Sequence, residues 1–568
     1  MSRYPLAATI LFVPFLALAQ STPSNVATLL QQADRRAWLT DWNGAMPLYV
    51  QAEKDALKAA DGRNALYAKF GRLRGQMQTL ALVDVSEQIA IGLESAIAKG
   101  DTTLQLRGFT VKGDIDLEWD VSAAQHDWER VRQLARDLGD KGWENRANGE
   151  LGMVAFLKGN TGEASKLVQQ ALQTSVQSGD IGGQLRYMGA IANGILLAGN
   201  AQLAMDYVDR ALKIATDHPE TGFPYVVYST KVHALLASNQ ADQAERFANA
   251  AVSEAQSGDH RIKQIELLIT LAQIAQNRKQ SDRALELYSQ AASIARAGHV
   301  QRLLADAEQS LADAYRRAGN LVQAQRHASA AVRETEASGS RFTLPVRLGV
   351  LAEIYAAQGK VAAADRLYEQ ATDVVEAIMV NVPSRDAQAR LIGVMSDLYA
   401  GHFRLAADRL ANPLKAYDII ERARGRALAD VLRSVPGSDR GVSDAAATQI
   451  RAISRLQVRL MRAQVASERR KLLDELWQAE QTSVQRLDNR TSNPAPTTRI
   501  PVQRLQAALK PNEALIEYVL TEPRSYCLTI TRTAARLVPL PSRAEVQTLA
   551  DRFVDELRLE SQLVVEIQ

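Results

Sequence analysis

The chain has 568 residues, of which 23% are charged and 5% aromatic, and its 67 Lys and Arg nearly balance its 64 Asp and Glu. A chain of this length exceeds one compact core, so several domains or an open-ended repeat array is expected. Interspersed charges of both signs and few aromatic residues favour helices that pack through small side chains. No basic stripe follows the sequence, which argues against a nucleic-acid partner.

The amino terminus has the pattern of an export signal. Arg3 precedes an apolar run from Leu6 to Ala19, with small residues at Ala17 and Ala19. The run of roughly 14 residues is shorter than the about 20 that span a bilayer, so residues 1–19 are predicted to be a cleaved signal peptide. The alternative is an uncleaved membrane anchor. No later stretch has the pattern of a membrane span, so the mature chain is expected to be exported to the periplasm or the cell exterior.

A period of forty residues governs the next part of the chain. Alanine recurs at this interval, a second alanine follows seven residues later, and a small or apolar residue lies four residues after the first. Spacings of four and seven place all three on one face of a helix. The first series is Ala164, Ala204, Ala244, Ala284, Ala324 and Ala364, and the second is Ala171, Ala211, Ala251, Ala291, Ala331 and Ala371.

A turn is predicted five residues before each first alanine, because four of the six positions are glycine and one is asparagine, which tolerate a left-handed backbone. The turn positions are Gly159, Gly199, Asn239, Lys279, Gly319 and Gly359, and an upstream helix shows the same register at Ala192, Val232, Ala272, Ala312 and Ala352.

Each unit is therefore a helix, a tight turn and a second helix, and its offsets resemble the tetratricopeptide repeat. That repeat usually has 34 residues, so about six residues are additional here. We expect about nine units between residues 25 and 410, stacked into an α-solenoid whose concave groove is lined by the first helix of each pair. The resemblance implies a protein or peptide ligand in this groove. The alternative is a spacer that only holds another domain.

Past the repeats, "AYDIIERARGRALADVLRS", residues 416–434, is predicted to be a capping helix whose arginines face solvent. "SVPGSDRGVSD" has linker composition. A polar helical stretch follows from about 445 to 487, as one helix or a hairpin, and "DNRTSNPAPTTRIP" marks a second boundary.

The pattern changes in "LIEYVLTEPRSYCLTITR", residues 515–532. Strands are predicted in "PNEALIEYVLTE", "SYCLTITR" and "AARLVPLP", followed by a helix from about 543 to 559. Strands followed by a helix indicate the opening of an α/β domain.

Together with "ERARGRALADVL", this carboxy-terminal segment resembles the CHAT proteins, in which repeats precede a caspase-like cysteine peptidase domain. The resemblance implies that a catalytic histidine and cysteine follow later strands, and this segment contains neither. We therefore expect the chain to be the amino-terminal part of a longer, repeat-regulated peptidase; the alternative is a non-catalytic interaction scaffold with a vestigial CHAT segment. The predicted divisions are a signal peptide (1–19), a repeat solenoid with its capping helix (20–435), a helical connector and linker (436–499) and the start of a CHAT domain (500–568).

Cys527 is the one cysteine of the chain and lies in the second predicted strand. A thiol needs a base or a positive environment to be reactive, and the nearest histidine in sequence belongs to the helical region, so Cys527 is predicted to be a buried structural thiol. No catalytic, cofactor or metal site is expected, because no histidine pair has the spacing of a zinc site and no phosphate loop is present. The seven histidines are His126, His218, His233, His260, His299, His327 and His402.

Overall fold

The computed structural model describes residues 25–77, 79–118, 121–158, 160–340, 343–379, 397–433 and 502–567, with isolated residues between 452 and 475. The predicted signal peptide and most of the predicted connector lie outside the described residues. Within the described ranges, no helix has both the length and the apolar character needed to cross a bilayer.

Eighteen helices between residues 25 and 379 follow one another as nine consecutive pairs, which confirms the predicted solenoid. Each helix packs on the next, so the chain winds in one layer of helix pairs. The helices are α1 Asn25–Trp38, α2 Trp42–Lys58, α3 Gly62–Gln76, α4 Leu82–Ala98, α5 Thr102–Asp116, α6 Val121–Leu138, α7 Lys141–Leu157, α8 Thr161–Ser178, α9 Ile181–Leu197, α10 Ala201–Asp217, α11 Tyr225–Ala237, α12 Ala241–Ser257, α13 Arg261–Asn277, α14 Ser281–Ala297, α15 Gln301–Arg317, α16 Leu321–Ser338, α17 Leu344–Ala357 and α18 Val361–Met379.

The periodic alanines lie where helices approach most closely. All twelve are buried in the second helices of their pairs, because a larger side chain at these positions would hold the two helices apart. The predicted turn residues have the left-handed backbone that ends the first helix: φ is 88° at Gly199 and 61° at Lys279. Gly159, the first residue in the turn series, lies outside the described residues.

A tenth helix pair follows the nine. Residues 397–404 form α19, which continues into a π-helical turn at Leu405–Arg409, and α20 spans Pro413–Arg433. The predicted capping helix is thus the second member of a pair, and it begins at Pro413. Its Arg422 was predicted to face solvent, and that prediction was wrong: the side chain is buried because it pairs with Glu369 and Asp373 of α18.

A short helix, a sheet and a long helix complete the described chain. They are α21 Val502–Ala508, β1 Ala514–Val519, β2 Ser525–Thr531, β3 Ala535–Leu540 and α22 Arg543–Ile567. The strands form an antiparallel meander in the order β1-β2-β3. The three predicted strands and the helix after them are therefore confirmed.

One face of the sheet packs on the tenth helix pair. Tyr526, Leu528 and Ile530 share a hydrophobic core with Phe403 and Ile420, and the Tyr526 hydroxyl donates to Asp408 at 2.7 Å. This contact covers the apolar end of the solenoid, which would otherwise be exposed to water.

The other face of the sheet is open. Ile516 and Tyr518 on β1 are 56% and 59% exposed. Cys527, opposite Tyr518 in the register, is on this face and only half-buried. The prediction of a buried thiol was therefore wrong about burial, since strand alternation separates two faces without revealing which one meets the helices.

Candidate functional site

Two adjoining cavities lie among the first helices α1, α3, α5, α7 and α9 and the start of α2 at Trp42. Their volumes are about 90 Å³ and about 260 Å³. Both are lined by Trp42, Arg74, Asp114 and Arg146, so the two cavities share walls and together make one lined space.

Four arginines line this space, and we call them the arginine cluster: Arg74 on α3, Arg107 on α5, Arg146 on α7 and Arg186 on α9. Arg107 and Arg146 are 39 residues apart, and Arg146 and Arg186 are 40 residues apart. Successive repeats therefore present an arginine from equivalent helices. Asp114 links two members, because it accepts from Arg74 Nε at 2.5 Å and from Arg146 Nη2 at 3.2 Å.

Arg107 is held between two tyrosine rings. Its side chain is 5% exposed, and its guanidinium carbon lies 5.0 Å from the ring centre of Tyr49 and 5.2 Å from that of Tyr67. Both tyrosine hydroxyls donate to Asp34, at 2.5 and 2.8 Å, and burial raises the pKa of Tyr67 to about 12. Asp34 thus accepts hydrogen bonds from two neutral phenols and lies 3.5 Å from Arg107 Nη2.

Several buried arginine nitrogens have no hydrogen-bond partner in the protein. They are Nε and Nη2 of Arg107, Nε of Arg146 and Nη1 of Arg186. Among the described residues that line the two cavities, no buried side-chain oxygen lacks a hydrogen-bond partner. Two of these nitrogens lie near a carboxylate without a hydrogen bond, since Arg107 Nη2 is 3.5 Å from Asp34 and Arg146 Nε is 3.6 Å from Glu150. A buried donor without a hydrogen bond costs about 1–3 kcal/mol.

Tryptophan rings form the apolar part of the wall. Trp38 and Trp143 meet edge to face with ring centres 5.0 Å apart. The Arg74 guanidinium lies over Trp42 at 4.7 Å, and that of Arg146 lies 5.3 Å from the ring of Trp143. The rings and guanidinium planes together make a surface suited to a chain with both apolar and anionic groups.

The turn between α1 and α2 closes one side of the groove. Trp38 Nε1 donates to Asp180 Oδ1 at 2.8 Å, and the Gly222 amide donates to the Leu39 carbonyl at 2.9 Å. A second contact between distant units joins Arg302 to Glu118 at 2.7 Å. The superhelix is therefore tight enough for its first units to touch units several repeats later.

Carboxyl groups line the same cavities as the arginine cluster: Asp34, Asp114, Glu118 and Glu150. Burial raises the pKa of Glu150, against the lowering effect of Arg146 and Arg186. Burial would also raise the pKa of Asp114, but Arg74 and Arg146 outweigh it and the net shift is downward. Four arginines and four carboxyl groups therefore line the two cavities together.

A second polar cluster joins the ninth and tenth helix pairs. His402 Nε2 lies 3.0 Å from Asp365 Oδ1, and Glu369 completes a group whose ligand-type atoms lie within 4.8 Å of one another. Lys415 Nζ lies 2.5 Å from Asp365 and 3.1 Å from Glu369, and Arg422 pairs with Glu369 at 3.0 Å. Because cationic side chains already balance these carboxylates, the cluster is explained as an ion-pair network between helices.

Cys527 and the histidines are not brought together as a nucleophile and base. His402 is buried in the tenth helix pair, stacked on Tyr368 with ring centres 5.1 Å apart, whereas Cys527 lies on the sheet face that points away from this pair. The other histidines belong to helices or turns of the nine repeat units: His126, His218, His233, His260, His299 and His327.

No protein-family model matches the chain, and no curated protein matches it. Solved structures similar to it contain helical repeats. A STAND-class signal transduction ATPase with a tetratricopeptide repeat sensor from Pyrococcus horikoshii is 14% identical, with 66% of this chain and 55% of that chain covered and a TM-score of 0.39. A Rap protein complexed with Competence and Sporulation Factor is 13% identical, with 66% and 99% covered and a TM-score of 0.45. Human IFIT1, as a dimer with PPP-AAAA, is 13% identical, with 81% and 99% covered and a TM-score of 0.36.

This chain thus spans about half the length of the first of these structures, at 55%. The superpositions are partial, and the description of the fold depends on the chain's own helix pairs. Its period, left-handed turns and buried small residues make it a tetratricopeptide-like α-solenoid with a small antiparallel sheet packed on its last helices.

Proposed function

We propose that the chain is an exported scaffold that binds an extended segment of a protein or peptide in the groove lined by its first helices. The observation that carries the proposal is the space beside Trp42, where tryptophan rings and arginine side chains converge from five different helix pairs.

A pure spacer is the weaker explanation of this groove. Helix pairs hold their spacing through the small buried residues of the second helices, and those contacts need no arginine on the inner wall. Donors left without acceptors reduce stability. A ligand that supplies acceptors to the guanidinium groups lining the cavities would offset this cost.

The experiment is a selection of phage-displayed random peptides on the full chain, followed by fluorescence polarisation with the recovered peptides. Trp42→Ala removes an aromatic wall of both cavities, and loss of such a packed anchor weakens binding about tenfold or more. Phe553→Ala is the matched control, because Phe553 is 61% exposed on α22, outside the repeats. Failure to enrich any peptide, or equal affinity of the two variants, would refute groove binding.

Export is part of the proposal and has its own test. The order of Arg3, the apolar run and the small residues at Ala17 and Ala19 supports cleavage after residue 19. Amino-terminal sequencing of the protein recovered from the periplasm or medium should begin at Gln20. An intact Met1 on membrane-bound protein would support the anchor instead.

We also infer that the parent protein is a CHAT-type cysteine peptidase regulated by its repeats. The inference is supported by the "ERARGRALADVL" segment of α20 followed by three strands and a helix. The alternative is a non-catalytic scaffold. Sequencing the gene beyond the codon for Gln568 separates them: a histidine and a cysteine after further strands support the peptidase, and their absence supports the scaffold.

A further inference from the structure

We propose that the turn between α1 and α2, residues 38–43, is a latch that closes the superhelix beside the two cavities and must open before a ligand enters them. The proposal names the regulation of the groove and therefore rests on the proposed function. It is carried by the hydrogen bonds and close backbone contacts that join the latch to helix pairs four to six units later in the chain.

Two of the latch contacts reach the fifth and sixth helix pairs. Trp38 Nε1 donates to Oδ1 of Asp180, the residue that precedes α9, at 2.8 Å. The amide of Gly222, in the loop before α11, donates to the Leu39 carbonyl at 2.9 Å. The second contact joins backbone to backbone, so it depends on the path of both loops and on no side chain.

A third contact reaches the seventh pair. Asn43 Nδ2 donates to the Asp259 carbonyl at 3.2 Å and lies 3.0 Å from His260 Nδ1, in the turn before α13. These groups are exposed, so water replaces their hydrogen bonds when the latch separates. The first helix pair is thus held against three later pairs by contacts that can be exchanged for water.

Two glycines let the latch approach the later repeats. A Cβ atom at Gly182 would lie 2.3 Å from the Trp38 carbonyl oxygen, and one at Gly222 would lie 2.3 Å from the Thr40 carbonyl oxygen. Neither is among the described glycines with a positive φ, so close approach of the latch explains glycine at these positions better than turn geometry does.

The latch also forms one wall of the cavities. Trp38 lines the smaller cavity, Thr40 lines the larger one, and Trp42 lines both. The other walls come from the body of α1 and from α3, α5, α7 and α9. Separation of the latch therefore removes one wall from the space where the ligand is proposed to bind, and its return encloses a ligand that has entered.

The latch can open while the rest of the chain stays folded. The hydrophobic core of the first units lies within residues 26–68, whereas Ile181 and Phe223, beside the latch contacts, belong to cores built from later helices. Besides the edge contact of Trp38 with Trp143, hydrogen bonds hold the latch. Opening therefore leaves these hydrophobic cores intact, as is typical of local opening in a native protein.

Thiol labelling of a cavity residue in the full chain tests the latch without a ligand. Thr110 lines the smaller cavity, is 3% exposed, and donates to the Leu106 carbonyl. Thr110→Cys, combined with Cys527→Ser to remove the native thiol, reports entry of N-ethylmaleimide into the cavity. Thr335→Cys is the matched reference, because Thr335 is 1% exposed, donates to the Ala331 carbonyl and lies on α16, away from both cavities.

Two variants open the latch from different sides. Gly222→Ala places a Cβ atom against the Thr40 carbonyl, and Asn43→Ala removes the contacts with the turn before α13. Neither residue lines a cavity. Gly162→Ala is the control, since a Cβ atom at Gly162 meets nothing within 4 Å.

We expect Gly222→Ala to speed labelling of Thr110→Cys about tenfold or more and Asn43→Ala to speed it about threefold or more, because the loss of one or two hydrogen bonds changes the opening equilibrium by such factors. Gly162→Ala should leave the rate unchanged, and Thr335→Cys should be labelled at one rate in all variants. Far-ultraviolet circular dichroism verifies the fold, and Asn43→Ala decides the outcome if Gly222→Ala does not fold.

Unchanged labelling of Thr110→Cys in the latch variants would overturn the proposal. An equal rise at Thr335→Cys would also overturn it, because that result describes loosening of the whole solenoid.

The proposed function is judged separately, by the phage-selected peptides and Trp42→Ala. Labelling that responds to the latch variants while no peptide is enriched would preserve the latch and reject groove binding. Where a peptide is enriched, Gly222→Ala should raise its association rate about tenfold in stopped-flow fluorescence polarisation. Unchanged association despite faster labelling would preserve groove binding and reject the latch as its gate.

Discussion

The contact between Gly149 on α7 and Tyr187 on α9 gives the sharpest test of how the groove wall is packed. A Cβ atom at Gly149 would lie 2.3 Å from Tyr187 Cε1 and 2.4 Å from Cζ. The tyrosine is 1% exposed, so its ring has no free space to enter. Gly149→Ala therefore forces either the ring or the two helices to shift.

Two effects of opposite sign decide how much Gly149→Ala changes the free energy of unfolding. Alanine in place of a helical glycine stabilises a helix by about 1 kcal/mol, whereas inserting a carbon into a packed core costs about 1–3 kcal/mol. Contacts this short with a rigid ring belong in the upper part of that range, so we expect Gly149→Ala to lower the free energy of unfolding by about 1–2 kcal/mol. The Tyr187 hydroxyl lies 3.5 Å from the Arg146 carbonyl, so the shift also reaches the arginine cluster.

Gly194→Ala is the matched control on α9. A Cβ atom there meets nothing within 4 Å, so only the helix-propensity gain remains and the variant should be more stable by about 0.5–1 kcal/mol. Urea denaturation followed by far-ultraviolet circular dichroism compares the midpoints of the two variants with that of the unmodified chain. A Gly149→Ala midpoint equal to or above that of Gly194→Ala would show that the close packing against Tyr187 has been misread.

Three further predictions concern the closure, the sheet and the ion-pair network. Trp38→Phe keeps an aromatic ring but loses the hydrogen bond to Asp180 at 2.8 Å. It should lower the free energy of unfolding by about 0.5–1.5 kcal/mol and speed hydrogen exchange in the α1–α2 turn. Unchanged exchange would contradict the role of this hydrogen bond in holding the turn against Asp180. Leu528→Ala empties a fully buried position under the sheet and should destabilise by about 2–5 kcal/mol, seen as earlier urea unfolding and faster exchange in β2, with the exposed-face change Ile516→Ala as the mild control. Burial lowers the pKa of His402 against the raising effect of Asp365; the unfolded chain therefore binds more protons, and stability should be full above about pH 6.5 and fall as the pH drops below it, by at most about 1.4 kcal/mol per unit. Urea midpoints measured from about pH 7.5 to 5.5 check this, and an equal pH slope in His402→Gln would exclude His402 as its source.

The repeat architecture could be predicted from the sequence because it depends on short, regular separations along the chain. The separations that matter, four, seven and forty residues, are visible along the chain, and each corresponds to one helix face or one unit. Even Lys279, an unfavourable residue for a left-handed turn, adopts φ 61° because the period places a turn there. The strand around Cys527 was equally visible from its alternation.

The arginine cluster could not be predicted in the same way. Arg107, Arg146 and Arg186 follow the period, but they are three of many arginines on helices whose exposed faces are also charged. Arg107 is covered by the rings of Tyr49 and Tyr67, and Arg146 shares a cavity wall with Trp38, so residues far away in the sequence surround these arginines. Whether an arginine on a first helix is buried depends on how strongly the superhelix curves. The helical period in the sequence does not specify that curvature.

The network around His402 escaped prediction for a related reason. Asp365 and Glu369 lie one helical turn apart on α18, while His402 and Lys415 come from two later helices. Within α18 the two acids look like an ordinary charged face. Only the packing of the tenth pair shows that they fasten this pair to the repeats.

The position of the sheet gives the proposed regulation a physical basis. A ligand that spans several first helices changes the angle between consecutive pairs only if its affinity differs between solenoids with different angles. In a solenoid such changes pass from each interface to the next. The last interface holds the tenth pair through Lys415 and Arg422, and that pair shares its core with Leu528 of the sheet. The sheet must therefore move with the tenth pair, and any domain built on the sheet would be displaced by a change in curvature without a separate signalling element.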